Sequence, residues 1–176
     1  MAVRTTLEHA AIDQLAGTPD VMRALLAAVT PEQAEWKPAP ERFSIAELLE
    51  HLSHIEGHMF RRRFDQMVTE DNPEVEPYDQ NDHYAQGTYS NRDAEESMAH
   101  WEEQRENNVD FLRGLGTEVL ARTARHRVFG KITLENVLNE WAIHDLGHVR
   151  QMAELVRTRL FYPGLGPFQE EYSLRP

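Results

Sequence analysis

WAIHDLGHVRQMAEL, residues 141–155, decides how this chain is read. Trp141, Met152 and Leu155 fall on one face of a helix, and Leu134, Val137 and Leu138 extend that face toward the N-terminus. His144 and His148 fill the gap on the same apolar stripe. A buried imidazole needs partners for both ring nitrogens, so two on one buried stripe are less easily explained as ordinary core residues than one. Positions four apart differ by roughly 40° in direction and ~6 Å in height. The two rings can therefore converge on one ion, as the H-x-x-x-H pairs of zinc helices do. The competing reading is a pair of hydrogen-bonded core histidines.

Working outward, this helix is expected from about Thr133 to Leu160, ending before Pro163-Gly164, with an irregular tail after it. A second amphipathic helix starts at Ser44-Ile45-Ala46-Glu47, a capping box in which Ser44 and Glu47 satisfy each other's amides. Its stripe is Ile45, Leu48, Leu52, Ile55 and Met59, and it should reach about residue 70. Here too histidines cluster: His51, His54 and His58 lie within two turns. At ~100° per residue His51 sits about 90° from the middle of the stripe, on its shoulder, and His58 lies slightly further round. His54 points nearly opposite, toward solvent. Periodicity favours His51 as a third ligand, but His54 and His58 also have H-x-x-x-H spacing and could form a rival surface site.

The remaining chain reads as two more helices and their connectors. Residues 5–29 carry Leu7, Ile12, Leu15, Val21, Leu25, Leu26 and Val29 at helical spacing, with an interruption expected at Gly17-Thr18-Pro19, Thr18 capping and Pro19 at the first helical position. Residues 30–43 hold three prolines and read as a connector with one helical turn. Residues 71–90 have little periodicity and read as a long loop, of a length often functional. A third helix is expected from Ser90 or Asn91 to Gly114 or Gly116, and residues 124–133 form a second connector with a short strand. Four long amphipathic helices with one long connection between the second and third give an all-α four-helix bundle, a single domain over 1–176. No run of alternating β-branched residues is long enough for a continuous sheet.

Composition fits a soluble globular protein, with 40% hydrophobic and 27% charged residues. A net charge of −12 repels phosphate backbones, so nucleic acid is not an expected partner. There is no Cys, hence no disulfide, thiolate ligand or Cys nucleophile. No signal peptide and no apolar run of about 18 residues is recognisable, so a cytoplasmic protein that does not span a membrane is expected.

Read together, TPEQAEWKPAP, SIAELLEHLSHIE, HDLGHVRQ and the closing LGPF resemble the DinB/YfiT-like superfamily of metal-binding four-helix bundles, in order and over almost the whole chain. Members typically carry an aromatic, a Ser or Thr, then E-L-L-x-H-L; here that run is Phe43-Ser44-Ile45-Ala46-Glu47-Leu48-Leu49-Glu50-His51-Leu52, with Phe43 in place of the more usual Trp. The resemblance implies His51, His144 and His148 as ligands of one divalent transition metal, zinc or nickel, with a coordination position left open. It implies transfer of a low-molecular-weight thiol to an electrophile, or hydrolysis of an amide or similar bond, on a small-molecule substrate. A homodimer paired through an exposed apolar helix face is also expected. The alternative is a non-catalytic, metal-stapled stress or partner-binding bundle. The stripes offer no fourth protein ligand, which favours an open site over a structural one.

Several neighbours have competing roles. Asp145 could orient a ligand, pair with an arginine such as Arg150, or be a surface charge. Glu140 and Glu56 could reach the site, Glu140 as acceptor of a ligand's second N–H. Gly147 could allow close approach of a helix or substrate. His83 and Tyr84 of the long loop could overhang the ion. Arg61-Arg62-Arg63 could balance Asp65 and Glu70 or hold an anionic substrate tail. No G-x-S-x-G elbow or phosphate loop is present, and no catalytic residue is named beyond the ligands.

Overall fold

The computed structural model describes residues 7–90 and 93–175. Four long helices carry the fold. Helix α1, Ala10–Leu26, is followed by a single capped turn, α2, Pro31–Ala34. Helix α3, Ile45–Ile55, continues through a π-helical turn, Glu56–Arg61, into α4, Arg62–Thr69. A short helix α5, Gln80–Ala85, precedes α6, Ala94–Arg113, and α7, Leu134–Val156, closes the bundle. Strands β1, Glu74–Val75, β2, Thr123–His126, and β3, Gly130–Thr133, form a small sheet in which β1 pairs parallel and β3 antiparallel to β2.

The capping signals explain the starts. Ser44 Oγ accepts from the Glu47 amide at 3.1 Å and Glu47 returns the bond to Ser44 N at 2.9 Å. Thr133 and Asn136 do the same for α7, and Asp93 caps α6. The expected start of the third helix near Ser90 is therefore a few residues early; Asn91 lies outside the described residues. Helix α7 gives way at Arg157–Phe161 to a π turn, and then to 3₁₀ turns broken at Gly166 (φ 54°).

Two expectations are corrected. Helix α1 is not interrupted at Gly17-Thr18-Pro19. Pro19 lies inside it, and Thr18, fully buried, donates its hydroxyl to Gln14 O at 2.8 Å instead of capping. The 71–90 segment is not structureless either: it contains β1 and α5.

Among the four long helices, α1 and α3 each pack against both α6 and α7. The buried apolar residues form two clusters, one at each end. Leu7 and, from α1, Ala11, Ile12 and Leu15, with Phe60, Phe64, Leu112 and Leu134–Trp141, build one; Met22, Leu48–Leu52, Met98–Trp101 and Met152–Val156 build the other. Following each helix from cluster to cluster gives its direction: α1 runs parallel to α7, and α3 parallel to α6. A parallel neighbour demands a return over the bundle's length, and residues 70–90 carry the chain from one cluster to the other. Val75 packs in the first cluster and Tyr89 in the second. Between the clusters lies a buried polar layer.

Candidate metal centre

That layer is where the histidines sit. His51 comes from α3, His144 and His148 from α7, and their Nε2 atoms converge: His51 to His144 at 3.2 Å, His144 to His148 at 3.1 Å. All three offer ligand atoms within 4.8 Å of one another, the one such group of three among the described residues. Nitrogens about 2.0–2.1 Å from a zinc ion stand roughly 3.3 Å apart at tetrahedral angles and roughly 2.9 Å apart at right angles. The observed spacings fall between these values. His51 is fully buried although periodicity placed it on the stripe's shoulder, because Tyr89 and the rings of α7 cover it: Tyr89 lies 5.1 Å from His51 edge-on, and Phe43 5.6 Å away.

Three imidazoles facing each other through Nε2 do not form a satisfied hydrogen-bond cluster. A neutral ring carries one proton, so at most one partner per contact can donate. Burial holds His51 well below its ordinary pKa, and the neighbouring His148 and His144 push it the same way. His148 is lowered to about 4 by burial and by His144. Neutral rings have lone pairs to give. On the outer side, His148 Nδ1 meets Gln151 Oε1 at 3.0 Å. His144 Nδ1 and Asp145 Oδ1 are both buried without a hydrogen bond, and they lie 3.8 Å from each other. His51 Nδ1 has no partner among the described residues. A donor set of three imidazole nitrogens fits a borderline divalent ion.

Behind the histidines is an ionic lattice that the sequence did not reveal. Arg105 of α6 is 2% exposed and sits between two carboxylates. It donates Nε to Glu56 Oε1 and Nη2 to Glu56 Oε2, both at 2.8 Å, and Nη1 to Asp145 Oδ2 at 2.5 Å. Glu56 also accepts from Asn108 at 3.0 Å, Trp101 Nε1 at 3.2 Å and Trp141 Nε1 at 3.3 Å. Five donors thus hold one carboxylate at the first residue of the π turn, a distortion that often marks functional positions. Burial alone would raise the Asp145 carboxyl, but the charge of Arg105 outweighs it and holds it below its ordinary value. Asp145 is thus neither a surface charge nor a partner of Arg150.

The other candidates are placed as follows. Glu140 accepts from Arg63 Nη1 at 3.3 Å, not from a ligand histidine. Arg63 is buried, Arg61 bonds Asp65 at 2.9 Å, and Arg122, not the arginine triplet, donates to the Glu70 carbonyl. His54 is not solvated as expected: it is half-buried, its Nε2 lacks a partner, and its pKa falls to about 4. It stacks face to face on His58 at 4.1 Å, and the parallel rings do not converge on a point. His83 stacks on Tyr78 at 4.7 Å, and Tyr84 accepts from Lys37 at 2.8 Å and packs on Phe43. Neither overhangs the three histidines. The segment reaches the site through Tyr89, whose hydroxyl bonds that of Tyr78 at 2.6 Å. A Cβ on Gly147 would meet nothing within 4 Å, so no helix approaches there.

No helix among the described residues is long and apolar enough to cross a membrane. No curated protein matches the chain. Among solved structures, YfiT from Bacillus subtilis, described as a probable metal-dependent hydrolase with an unusual four-helix bundle topology, superposes with a TM-score of 0.75. The two are 22% identical, and the likeness covers 90% of this chain and 93% of that one, which shows the shared bundle. The sequence model of the DinB superfamily matches residues 14–152, and the chain belongs to that superfamily.

Proposed function

We propose that this protein is a small metal-dependent hydrolase in which His51, His144 and His148 hold one divalent ion, zinc or nickel, through Nε2. The observation that carries the reading is that His144 Nε2 lies 3.2 Å from His51 Nε2 and 3.1 Å from His148 Nε2, in a group of three whose ligand atoms all lie within 4.8 Å of one another. The description of the YfiT structure as a probable metal-dependent hydrolase supports it. An ion with an open position supplies Lewis acidity that polarises a carbonyl and eases deprotonation of water or of a thiol.

The chain's own residues do the rest. Gln151 fixes the ring of His148, and Asp145 faces Nδ1 of His144, so both rings direct Nε2 inward. Phe43, Phe60 and Tyr89 line the histidines with apolar surface and exclude water from that side. Glu56 and Asp145 are both ion-paired with Arg105, and no general base is assigned. Transfer of a low-molecular-weight thiol to an electrophile is the second chemistry such a centre supports. A small-molecule substrate is common to both.

The test is the metal content of the untagged protein by mass spectrometry, beside a His144→Ala/His148→Ala variant checked by circular dichroism. About one equivalent in the native protein and none in the folded variant is the expected result. A native protein that takes up neither zinc nor nickel on reconstitution would remove the reading. An amide and ester panel, with thiol–electrophile pairs beside it, then separates the two chemistries. Stabilisation by metal without turnover of either panel would favour a stapled bundle.

A further inference from the structure

On the outer side of α7, Gly147 and Gln151 line an open cleft of about 620 Å³. Its walls are unusual for this chain. Four of the 18 basic residues line it, Arg42, Arg150, Arg157 and Arg175, in a protein of net charge −12. The one acid there, Glu154, is already engaged: it accepts from Arg157 Nη1 at 2.5 Å and from the Arg175 backbone N–H at 2.9 Å. The guanidiniums of Arg42 and Arg150 have no hydrogen bond or ion pair among the described residues. Two unpaired forks on a concave wall suit an oxyanion, which each can grip in two places.

Gln151 ties this cleft to the histidines. When His148 gives its Nε2 lone pair to an ion, its proton sits on Nδ1. Nδ1–H then donates to Gln151 Oε1, the 3.0 Å contact observed. The amide is oriented by that bond, and its N–H₂ group, with no partner among the described residues, is left as a donor beside the cleft.

We infer that the cleft formed by Arg42, Arg150 and the Gln151 amide, the amide oriented by His148, binds the oxyanion group, a carboxylate or a phosphate, of a small molecule. This rests on the proposed metal-dependent function, but the cleft can be tested apart from it. Binding to the metal-loaded protein is measured by titration calorimetry with glutarate, with glycerol phosphate in a separate arm, and with the neutral diamide of glutarate as control. One of the two anions should bind at one site, at least tenfold tighter than the diamide, and the tighter of them identifies the group. Arg42→Gln/Arg150→Gln should weaken it tenfold or more while metal content stays at the native level. Arg62→Gln/Arg125→Gln, the same change in charge at exposed arginines outside the cleft, should not. Equal affinity in the Arg42/Arg150 variant and the native protein, or no binding of either anion at millimolar concentration, would overturn the inference and leave the metal reading untouched. Arginine-dependent anion binding in a protein that takes up no metal would support the cleft as an anion site and remove the metal reading instead.

Discussion

Arg105 of α6 occupies the place that Pro19 of α1 leaves vacant. In a regular helix the amide of residue 19 would donate to the carbonyl of Leu15, and proline has no amide hydrogen. The Leu15 carbonyl accepts instead from Arg105 Nη1 at 2.9 Å. A proline inside a helix ordinarily costs about 3 kcal/mol. Here the freed acceptor becomes a fourth fixed point for a guanidinium that also binds Glu56 twice and Asp145 once. One local irregularity thus helps anchor the layer that backs the histidines.

Removing that guanidinium should be severe. Arg105→Met leaves Glu56 and Asp145, each 1% exposed, without a countercharge. Breaking a buried pair from one side typically costs about 3–5 kcal/mol. Urea denaturation of the metal-free protein at pH 7 should show a loss of that order. Adding Glu56→Gln and Asp145→Asn to the same variant should recover part of it, because no buried charge is then left unpaired. A single variant as stable as the native chain would mean that the carboxylates are solvated or neutral.

Asp145→Asn separates structure from site. The amide oxygen can keep the bond to Arg105, while the charge facing His144 Nδ1 is lost. Removing a carboxylate behind a ligating histidine typically weakens metal binding 10- to 100-fold. Competition against a chelator of known affinity should show a fall in that range, with the thermal transition of the metal-free protein checked alongside. Unchanged affinity would mean that the 3.8 Å approach does not couple Asp145 to the ligand.

The bundle and the His144/His148 pair were legible because they are written in local pattern, whereas His51 was singled out from its neighbours His54 and His58 by the family resemblance. Stripes at helical spacing, Ser44 with Glu47, and His144 four residues before His148 each need only a few residues of context. What stayed hidden is carried by distant partners. Helix α1 reads as broken at Pro19 until an arginine 86 positions downstream in numbering takes the Leu15 carbonyl. Asp145 reads as a surface charge because Arg105 lies 40 residues away on another helix. Tyr89 sits in a stretch of low periodicity, and its burial follows from the parallel placement of α3 and α6, which sends that stretch back along the bundle. The π turn at Glu56 has no Pro or special glycine pattern to announce it; five converging donors hold the carboxylate that begins it.

The tie between Tyr78 and Tyr89 should be worth one buried hydrogen bond. Their hydroxyls are 2.6 Å apart, and Tyr89 is 2% exposed. Tyr89→Phe leaves the ring packing on His51 and Phe43 intact and removes the bond, for a loss of about 1 kcal/mol. Tyr89→Ala also opens a cavity beside His51, and a loss of about 3–5 kcal/mol is expected. Chemical denaturation of the two variants measures both; an equal effect would mean that the hydroxyl, not the ring, fixes the segment.

His54 gives a pH signature outside the three-histidine group. Burial first, then the charges that His58 and His83 can carry, lower its pKa to about 4. The unfolded chain would titrate it near 6.5. Between these values the unfolded state binds more protons than the folded one, so this residue's contribution to stability falls as pH drops from about 6.5 toward 4. Its ring protons, followed by NMR, should titrate well below pH 6. His83→Asn should raise the midpoint without restoring it fully, because the burial remains. A native midpoint near 6.5 would mean that the ring is solvated and the stack on His58 is not held in solution.

Gly147 makes the simplest prediction and a counterintuitive one. It lies between two proposed ligands, where glycine is readily read as essential for close approach. Its backbone is helical, however, and an added methyl would meet nothing within 4 Å. Glycine in a helix interior costs about 1 kcal/mol relative to alanine, largely through the freedom of the unfolded chain. Gly147→Ala should therefore stabilise the protein by up to about 1 kcal/mol, read as a higher denaturation midpoint at unchanged slope. Metal content should stay the same, since His144 and His148 keep their helical spacing. Because Gly147 lines the arginine cleft, the methyl can narrow only that side. A destabilised Gly147→Ala variant would show that α7 is less regular at this point than its hydrogen-bonded course implies.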